Sequence, residues 1–184
     1  IHLGRVFQIC VEKGSELPVG HPDRKYKGRV VFQGNRVFDQ NFCDAQFGDQ
    51  GSAPATMQAA KICDLYGLFP GNSTEQCDAE QAYTQSKLGG NIKTWVEIPD
   101  ERWPESFTKV HGLKKGVNKA VCPMDKALYG HPDSGTYWEK HCEAHLFKVG
   151  FVRVKNWLSC FWHPKYKMLL IVYVDDFKLS GPEK

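Results

Sequence analysis

The sequence predicts a mixed α+β fold, and three observations lead to that prediction. Patterns typical of helices and of strands both occur, but they do not alternate in the strand–helix–strand rhythm of a parallel sheet. The most apolar run, residues 168–174 (MLLIVYV), is short and rich in β-branched and aromatic residues, as buried strands are. The 184 residues are 41% hydrophobic and 24% charged, which are values of globular domains and exclude a disordered or collagen-like chain.

The N-terminal half of the chain begins with a predicted hairpin. Residues 3–12 and 26–33 read as strands, and the connector between them is rich in turn residues. Residues 35–53 carry no periodic pattern and are expected to be irregular. Pro54 then opens a predicted helix, whose apolar residues recur with helical spacing at Met57, Ala60, Leu65 and Leu68.

The C-terminal half holds the stronger patterns. Residues 74–84 alternate weakly and fit either a short strand running into a turn or a helical turn, whereas residues 91–99 alternate clearly as a strand and residues 100–107 read as a loop. The best helix covers residues 136–151, with Gly150 at its end and an apolar stripe of Trp138, Cys142, Leu146 and Val149. One strand over residues 159–164 and a hairpin over residues 168–181 complete the elements.

Two adjacent carboxylates, Asp175 and Asp176, follow the most apolar strand directly. Bringing two like charges next to a low-dielectric core costs free energy unless something positive neutralises them. The returning strand FKLSG places both at the tip of a hairpin, which suits a hard divalent cation. An acidic turn without a metal is the alternative. A metal site would need a third carboxylate, and the candidate is Asp78 in CDAEQAY.

Bulk features restrict the remaining possibilities. Seven cysteines occur without a CxxC pair, which indicates reduced intracellular thiols rather than a disulfide framework or zinc ribbon. His141, Cys142 and His145 form one weak candidate metal cluster without an evident further ligand. The net charge of +3 proves no polyanionic partner, although residues 24–29 and 111–119 are basic clusters. No apolar run reaches the roughly 20 residues of a membrane span.

Four segments in order resemble the reverse transcriptase of copia-type retrotransposons. They are the basic strand YKGRVVFQGN at 26–35, QCDAEQAYTQSKLGGNIKTWVEIPDERWP at 76–104, MDKALYG with the Trp-bearing helix up to Gly150–Phe151, and the YVDD hairpin. YVDD alone would be a weak signal, but together the segments extend the resemblance over roughly residues 5–182. The resemblance implies an RNA-directed DNA polymerase, a nucleotidyltransferase cut from a longer retrotransposon polyprotein.

The resemblance also implies roles for individual residues. Asp78, Asp175 and Asp176 match the catalytic triad that binds two Mg²⁺ ions, with Mn²⁺ as a possible substitute, and Asp176 is the less direct ligand. Ala79 would offer a carbonyl to the nucleotide metal, and Tyr83 matches the aromatic gate against a 2′-hydroxyl. The remaining matches are phosphate contacts and primer-proximal residues: Lys27, Arg29 and the spare Lys25, then Tyr173 and Val174.

The implied fold is a fingers–palm arrangement in which an antiparallel palm sheet carries the three aspartates. Fingers are expected over about 1–76 and 100–128, and palm over about 77–99 and 129–184, with the thumb and ribonuclease H absent. The implied partners are an RNA or DNA template with primer, dNTPs, and the rest of the polyprotein with thumb, ribonuclease H and integrase, but no membrane. The implied location is cytoplasmic particles with access to the nucleus.

One turn departs from the family pattern. Copia enzymes commonly carry a Gln after LYG, where this chain has His131, Pro132 and Asp133, so His131 or Ser134 takes over or activity is altered. Two alternatives to an active polymerase therefore stay open. A decayed or domesticated copy would serve only as a nucleic-acid-binding or structural module. An unrelated metal-dependent nuclease or phosphatase is disfavoured because no His flanks Asp78 or the YVDD turn.

Overall fold

The computed structural model describes residues 1–48 and 53–183. The chain divides into two compact units, each built from two separate segments. Unit 1 comprises Ile1–Gly48 and Lys87–Ser134, and unit 2 comprises Asp49–Ser86 and Gly135–Lys184. These segments differ from the predicted fingers and palm segments, and which unit is fingers or palm stays a prediction.

Nine strands and four α-helices form in the described residues. The strands are β1 (His2–Lys13), β2 (Lys25–Phe32), β3 (Asn72–Asp78), β4 (Thr94–Ile98), β5 (Ala120–Pro123), β6 (Val152–Arg153), β7 (Cys160–His163), β8 (Met168–Tyr173) and β9 (Asp176–Pro182). The helices are α1 (Met57–Gly67), α2 (Ala82–Gln85), α3 (Glu105–Lys109) and α4 (Ser134–Lys148), with a 3₁₀ helix at Asp100–Arg102. The α+β class is therefore confirmed.

Unit 1 is built on a four-stranded sheet in the order β2-β1-β4-β5. β1 pairs antiparallel with β2, from Val6 opposite Phe32 to Lys13 opposite Lys25, and parallel with β4. Phe32, Val37 and Val96 form its buried core. The outer halves of β1 and β2 are exposed on both faces, so they extend beyond this core as a two-stranded ribbon.

Unit 2 is built on a five-stranded antiparallel sheet in the order β3-β9-β8-β7-β6. One face packs against α2 and α4 through a cluster that includes Trp138, Phe161 and Val172. The other face packs against α1 through a cluster that includes Cys63 and Ile171. β8 is thus buried on both faces at Leu170–Val172, which explains why its sequence is apolar throughout rather than alternating.

Most sequence predictions of elements are confirmed. The first hairpin, α1, β4, α4 and the β8–β9 hairpin all form, and the ambiguous residues 74–84 contain the end of β3 and then α2. The loop predicted at 100–107 is wrong, because Pro99 and Pro104 each precede a short helical turn. β5 and β6 were not predicted, since four and two residues are too short to show a period. Within the expected irregular segment, residues 49–52 lie outside the described residues.

Two further expectations concern cysteines and membranes. All seven cysteines are free thiols, and Cys63, Cys142 and Cys160 are buried in the core of unit 2. Among the residues that the structure describes, no helix combines the length and apolar character needed to cross a membrane.

Candidate catalytic site

The sheet register of unit 2 brings the predicted catalytic aspartates to one end of the sheet. Asp78, the last residue of β3, lies directly opposite Asp176, the first residue of β9. Asp176 is in turn opposite Tyr173, the last residue of β8. Directly paired residues place their side chains on the same face of a sheet. Two carboxylates and one phenol therefore share one face at the end of three neighbouring strands.

The connection from β8 to β9 is a two-residue loop, Val174 and Asp175. Val174 has a φ of +57°, which a β-branched residue rarely adopts because of steric strain. Two hydrogen bonds hold the loop in place. The indole Nε1 of Trp138 donates to the Val174 carbonyl at 2.7 Å, and the Ala79 N–H donates to the Asp175 carbonyl at 2.6 Å. The second bond ties the half-buried Asp175 to the residue that follows Asp78.

An open groove of about 410 Å³ begins at these residues. Asp78, Asp176 and Tyr173 line it together with Gln76, Ile171 and Lys178. All three residues at its mouth are exposed.

The cation on the same face as Asp176 is already neutralised. The Lys178 ammonium, two residues along β9, lies 2.8 and 2.9 Å from the two carboxylate oxygens of Asp64 on α1. Because Lys178 is paired with Asp64, it does not supply the positive charge that would neutralise Asp175 and Asp176.

The strand pairing beneath the groove is fixed by buried polar contacts with α1. The Ser180 hydroxyl lies 2.7 Å from the Thr74 hydroxyl and 3.2 Å from the Cys63 sulfur. Gly67 passes so close that a β-carbon there would lie 1.8 Å from the Thr74 Oγ1. These contacts hold β3 in the register that places Asp78 opposite Asp176.

The carboxylates suit a hard divalent cation in chemistry. Ionised carboxylate oxygens are the ligands that Mg²⁺ prefers, and directly paired strand residues have Cβ atoms only about 4.5–5.5 Å apart. In residues 1–48 and 53–183, however, no three His, Cys, Asp or Glu side chains are gathered as a metal-binding group. The backbone thus brings donors of the right type to neighbouring positions, and a metal would require their exposed side chains to rotate toward each other.

The other predicted nucleotide contacts lie elsewhere. Tyr83 and Val174 line a separate small apolar cavity with Trp138 and Val172, against the α4 face of the sheet. Ala79 is half-buried and precedes α2. The predicted phosphate contacts belong to unit 1, where they are exposed on β2: Lys25, Lys27 and Arg29.

The turn that departs from the family pattern is structural in unit 1. His131 is only 5% exposed, its Nε2 lies 3.0 Å from the Thr94 hydroxyl, and its Nδ1 accepts the Asp133 N–H. Burial lowers the pKa of His131 to about 4, and burial raises the pKa of Asp133. Ser134 is 2% exposed and bonds the backbone of Leu128. His131 and Ser134 are therefore packed inside unit 1, and neither presents an open contact to a nucleotide.

The weak histidine–cysteine cluster does not assemble. Cys142 is buried in the core beneath α4, and burial raises the pKa of its thiol to about 11. His145 is exposed on the helix surface, where its Nδ1 lies 2.8 Å from the His141 carbonyl oxygen. Trp138, whose place in the apolar stripe of α4 predicted only packing, also donates the hydrogen bond that holds the Val174 carbonyl.

No protein-family model matches the chain, and a search of curated proteins finds no match.

Proposed function

We propose that this chain is an RNA-directed DNA polymerase domain, the fingers and palm of a copia-type reverse transcriptase. The main support for the proposal is the register of β3 and β9, which pairs Asp78 with Asp176. Asp176 belongs to the β8–β9 hairpin, whose loop also contains Asp175. Asp175 and Asp176 are 97 and 98 positions from Asp78 in the sequence, so their proximity to Asp78 depends on the fold. The resemblance requires this proximity.

Asp78, Asp175 and Asp176 are the residues that would hold Mg²⁺ or Mn²⁺. When bound, such ions lower the pKa of an attacking hydroxyl and neutralise the charge that develops on a transferred phosphoryl group. The protein's own part is positioning, because phosphoryl transfer asks little other chemistry of the side chains. The Trp138 and Ala79 hydrogen bonds fix the loop, and a primer end would lie against Tyr173 and Val174.

The remaining roles follow the resemblance. Tyr83 would pack against the deoxyribose and exclude a 2′-hydroxyl, and Lys27 and Arg29 would bind the triphosphate as exposed cations of β2. Template with primer and dNTPs are the proposed partners, with the remainder of a retrotransposon polyprotein. Cytoplasmic particles with access to the nucleus are the proposed location.

Primer extension tests the proposal. Purified protein would receive a DNA primer annealed to an RNA template, Mg²⁺ or Mn²⁺, and the four dNTPs. We expect the wild type and a Glu75→Gln control to add nucleotides, because Glu75 lies on β3 but faces away from Asp78. The Asp175→Asn/Asp176→Asn variant should add none. Equal extension by this variant and the wild type would refute the assignment of the site.

A second candidate, a nucleic-acid-binding module without catalysis, is favoured by the exposed ribbon of unit 1. On one of its faces Lys13 lies opposite Lys25, Val11 opposite Lys27, and Ile9 opposite Arg29. Four cations on one exposed face suit the phosphates of a polyanion. Retained binding of the primer–template with no extension by the wild type in either metal would favour this candidate over the polymerase.

A further inference from the structure

A separate concave site lies in unit 1, where it is formed by β1, β4 and the loop after β2. It is a cleft of about 230 Å³, and its walls combine three cations, two phenyl rings and one carboxylate: Arg5, Arg36, Lys119, Phe38, Phe42 and Glu97. None of these residues belongs to the candidate catalytic site in unit 2.

The cations on one wall are held in place by a shared carboxylate. Arg5 on β1 lies opposite Glu97 on β4, and its Nε donates to the Glu97 carboxylate at 3.1 Å. The Lys119 ammonium bonds the other oxygen of the same carboxylate. These hydrogen bonds lower the pKa of Glu97 although burial opposes them, so the carboxylate stays ionised. One half-buried anion thus orders two cations, and with Arg36 the cleft keeps a net charge of +2.

The two phenyl rings of the cleft, Phe38 and Phe42, lie on a turn that hydrogen bonds hold together. Phe38 forms a two-way backbone bridge with Leu3 and lies beneath the Arg36 guanidinium, 5.9 Å from the ring centroid. The Asp39 carboxylate then accepts the N–H groups of Asn41 at 2.7 Å and Cys43 at 3.0 Å, while the Asp39 N–H donates to the Cys43 carbonyl. The turn therefore closes on itself without using the Phe42 side chain.

Phe42 sits at the tip of this turn in an unfavourable state. Its φ is +61°, a conformation that a non-glycine residue adopts at a cost, and the residue is 78% exposed to solvent. Neither burial of the side chain nor the local backbone conformation favours a phenylalanine at this position. Strained backbone conformations cluster at active sites and ligand-binding sites, so an exposed phenylalanine in such a conformation is a candidate ligand contact.

We propose that this cleft binds a nucleotide unit, an aromatic base joined to a phosphate. The base would stack on the Phe42 ring, and Arg36 and Lys119 would bind the phosphate. Ring faces beside ordered cations are the means by which proteins bind unpaired nucleotides without reading their sequence. The nucleotide unit has two sources, an unpaired residue of single-stranded RNA or DNA and a free nucleotide.

Fluorescence anisotropy with a short labelled single-stranded RNA, together with competition by ATP and by inorganic phosphate, tests the proposal. Phe42→Ala should weaken binding by about fivefold or more, and Phe42→Trp should restore it, because stacking of one base contributes at least that factor. Arg36→Gln should lower the slope of log Kd against log salt concentration by about 0.7, the value for one phosphate contact. Displacement of the RNA by ATP, with the same loss in Phe42→Ala, identifies a free-nucleotide site, whereas an effect on the RNA alone identifies a strand-binding site.

Matched controls separate this cleft from other surfaces. Phe69→Ala removes a ring that is 53% exposed in unit 2 and should leave binding unchanged. The Lys27→Gln/Arg29→Gln variant should weaken RNA binding by the ribbon. In that variant, Phe42→Ala should still weaken RNA binding by the same factor. The binding assay contains no primer, no dNTPs and no divalent metal, so loss of polymerase activity and loss of binding in the cleft are told apart. Binding of both probes by Phe42→Ala and Arg36→Gln at wild-type strength would overturn the proposal.

Discussion

Acidification should destabilise unit 1 through His131. The imidazole is buried between the rings of Phe32 and Phe47, whose centroids lie 4.9 and 5.5 Å away. Its Nδ1 accepts the Asp133 N–H, so the neutral ring carries its proton on Nε2 and donates to the Thr94 hydroxyl. A second proton would fall on Nδ1, remove that acceptor, and leave a charge in an apolar site.

The size of the effect follows from the pKa difference between the unfolded and folded states. Burial lowers the pKa of His131 from 6.5 to about 4. Between those two pH values the unfolded chain binds more protons than the folded chain, so the free energy of unfolding falls as the pH falls. At about 1.4 kcal/mol for each pH unit, the total loss is about 3 kcal/mol, and it is complete below about pH 4.

Two neighbouring groups modify this profile in opposite directions. Burial also lowers the pKa of His2, which adds to the loss on acidification. Burial raises the pKa of Asp133, so its protonation favours the folded state and offsets part of that loss. The contribution of His131 is therefore measured by comparing the pH dependence of the free energy of unfolding of a variant with that of the wild type.

Urea unfolding followed by circular dichroism, at pH values from about 7 to about 4, measures the effect. His131→Gln keeps a polar side chain but cannot titrate, so it should be less stable at neutral pH and lose less stability on acidification. The difference in slope from the wild type should approach 1.4 kcal/mol for each pH unit, the value for one proton. His111→Gln removes an exposed histidine of the same unit and should follow the wild type. A His131→Gln profile parallel to the wild-type profile would refute the reasoning.

Three further outcomes are expected. Gly67→Ala would place a β-carbon 1.8 Å from the Thr74 Oγ1 and should lower the free energy of unfolding by about 1–3 kcal/mol, whereas Gly48→Ala, with no atom of the described residues within 4 Å, should change it by no more than about 0.5 kcal/mol. Trp138→Phe should cost about 1–3 kcal/mol in the same urea titration, because it leaves the Val174 carbonyl without its donor; an unchanged midpoint would contradict this. Alkylation followed by mass spectrometry should label the exposed thiols Cys10, Cys43 and Cys77 in the folded protein, and the buried thiols Cys63, Cys142 and Cys160 only after unfolding; early labelling of the buried set would show that the core is wrong.

Elements governed by local pattern could be predicted from the sequence. The apolar run that became β8 and the apolar stripe of α4 each span enough residues to show their period. The position of Asp175 and Asp176 at the tip of a hairpin followed from the same run. For the short elements β5 and β6 no period exists to be read.

The meeting of Asp78 with Asp176 could not be derived from pattern or spacing. It depends on strand register, which is set by long-range contacts such as the Thr74–Ser180 hydrogen bond and by the packing of α1 beneath it. It was suggested by the need of a metal site for a third carboxylate and by the resemblance. The left-handed backbone at Val174 and Phe42 was also unpredictable, because neither residue type favours that conformation and each is held there by surrounding hydrogen bonds.

Iron-mediated backbone cleavage tests most directly whether the three aspartates form one metal site. Fe²⁺ takes the place of Mg²⁺, and with ascorbate and peroxide it cuts the chain close to where it binds, without any need for template, primer or polymerisation. We predict fragments that end near Asp78 and near Asp175–Asp176, suppressed by excess Mg²⁺ and absent from Asp78→Asn. Cleavage confined to other positions, or cuts at these positions that Asp78→Asn leaves unchanged, would contradict the account.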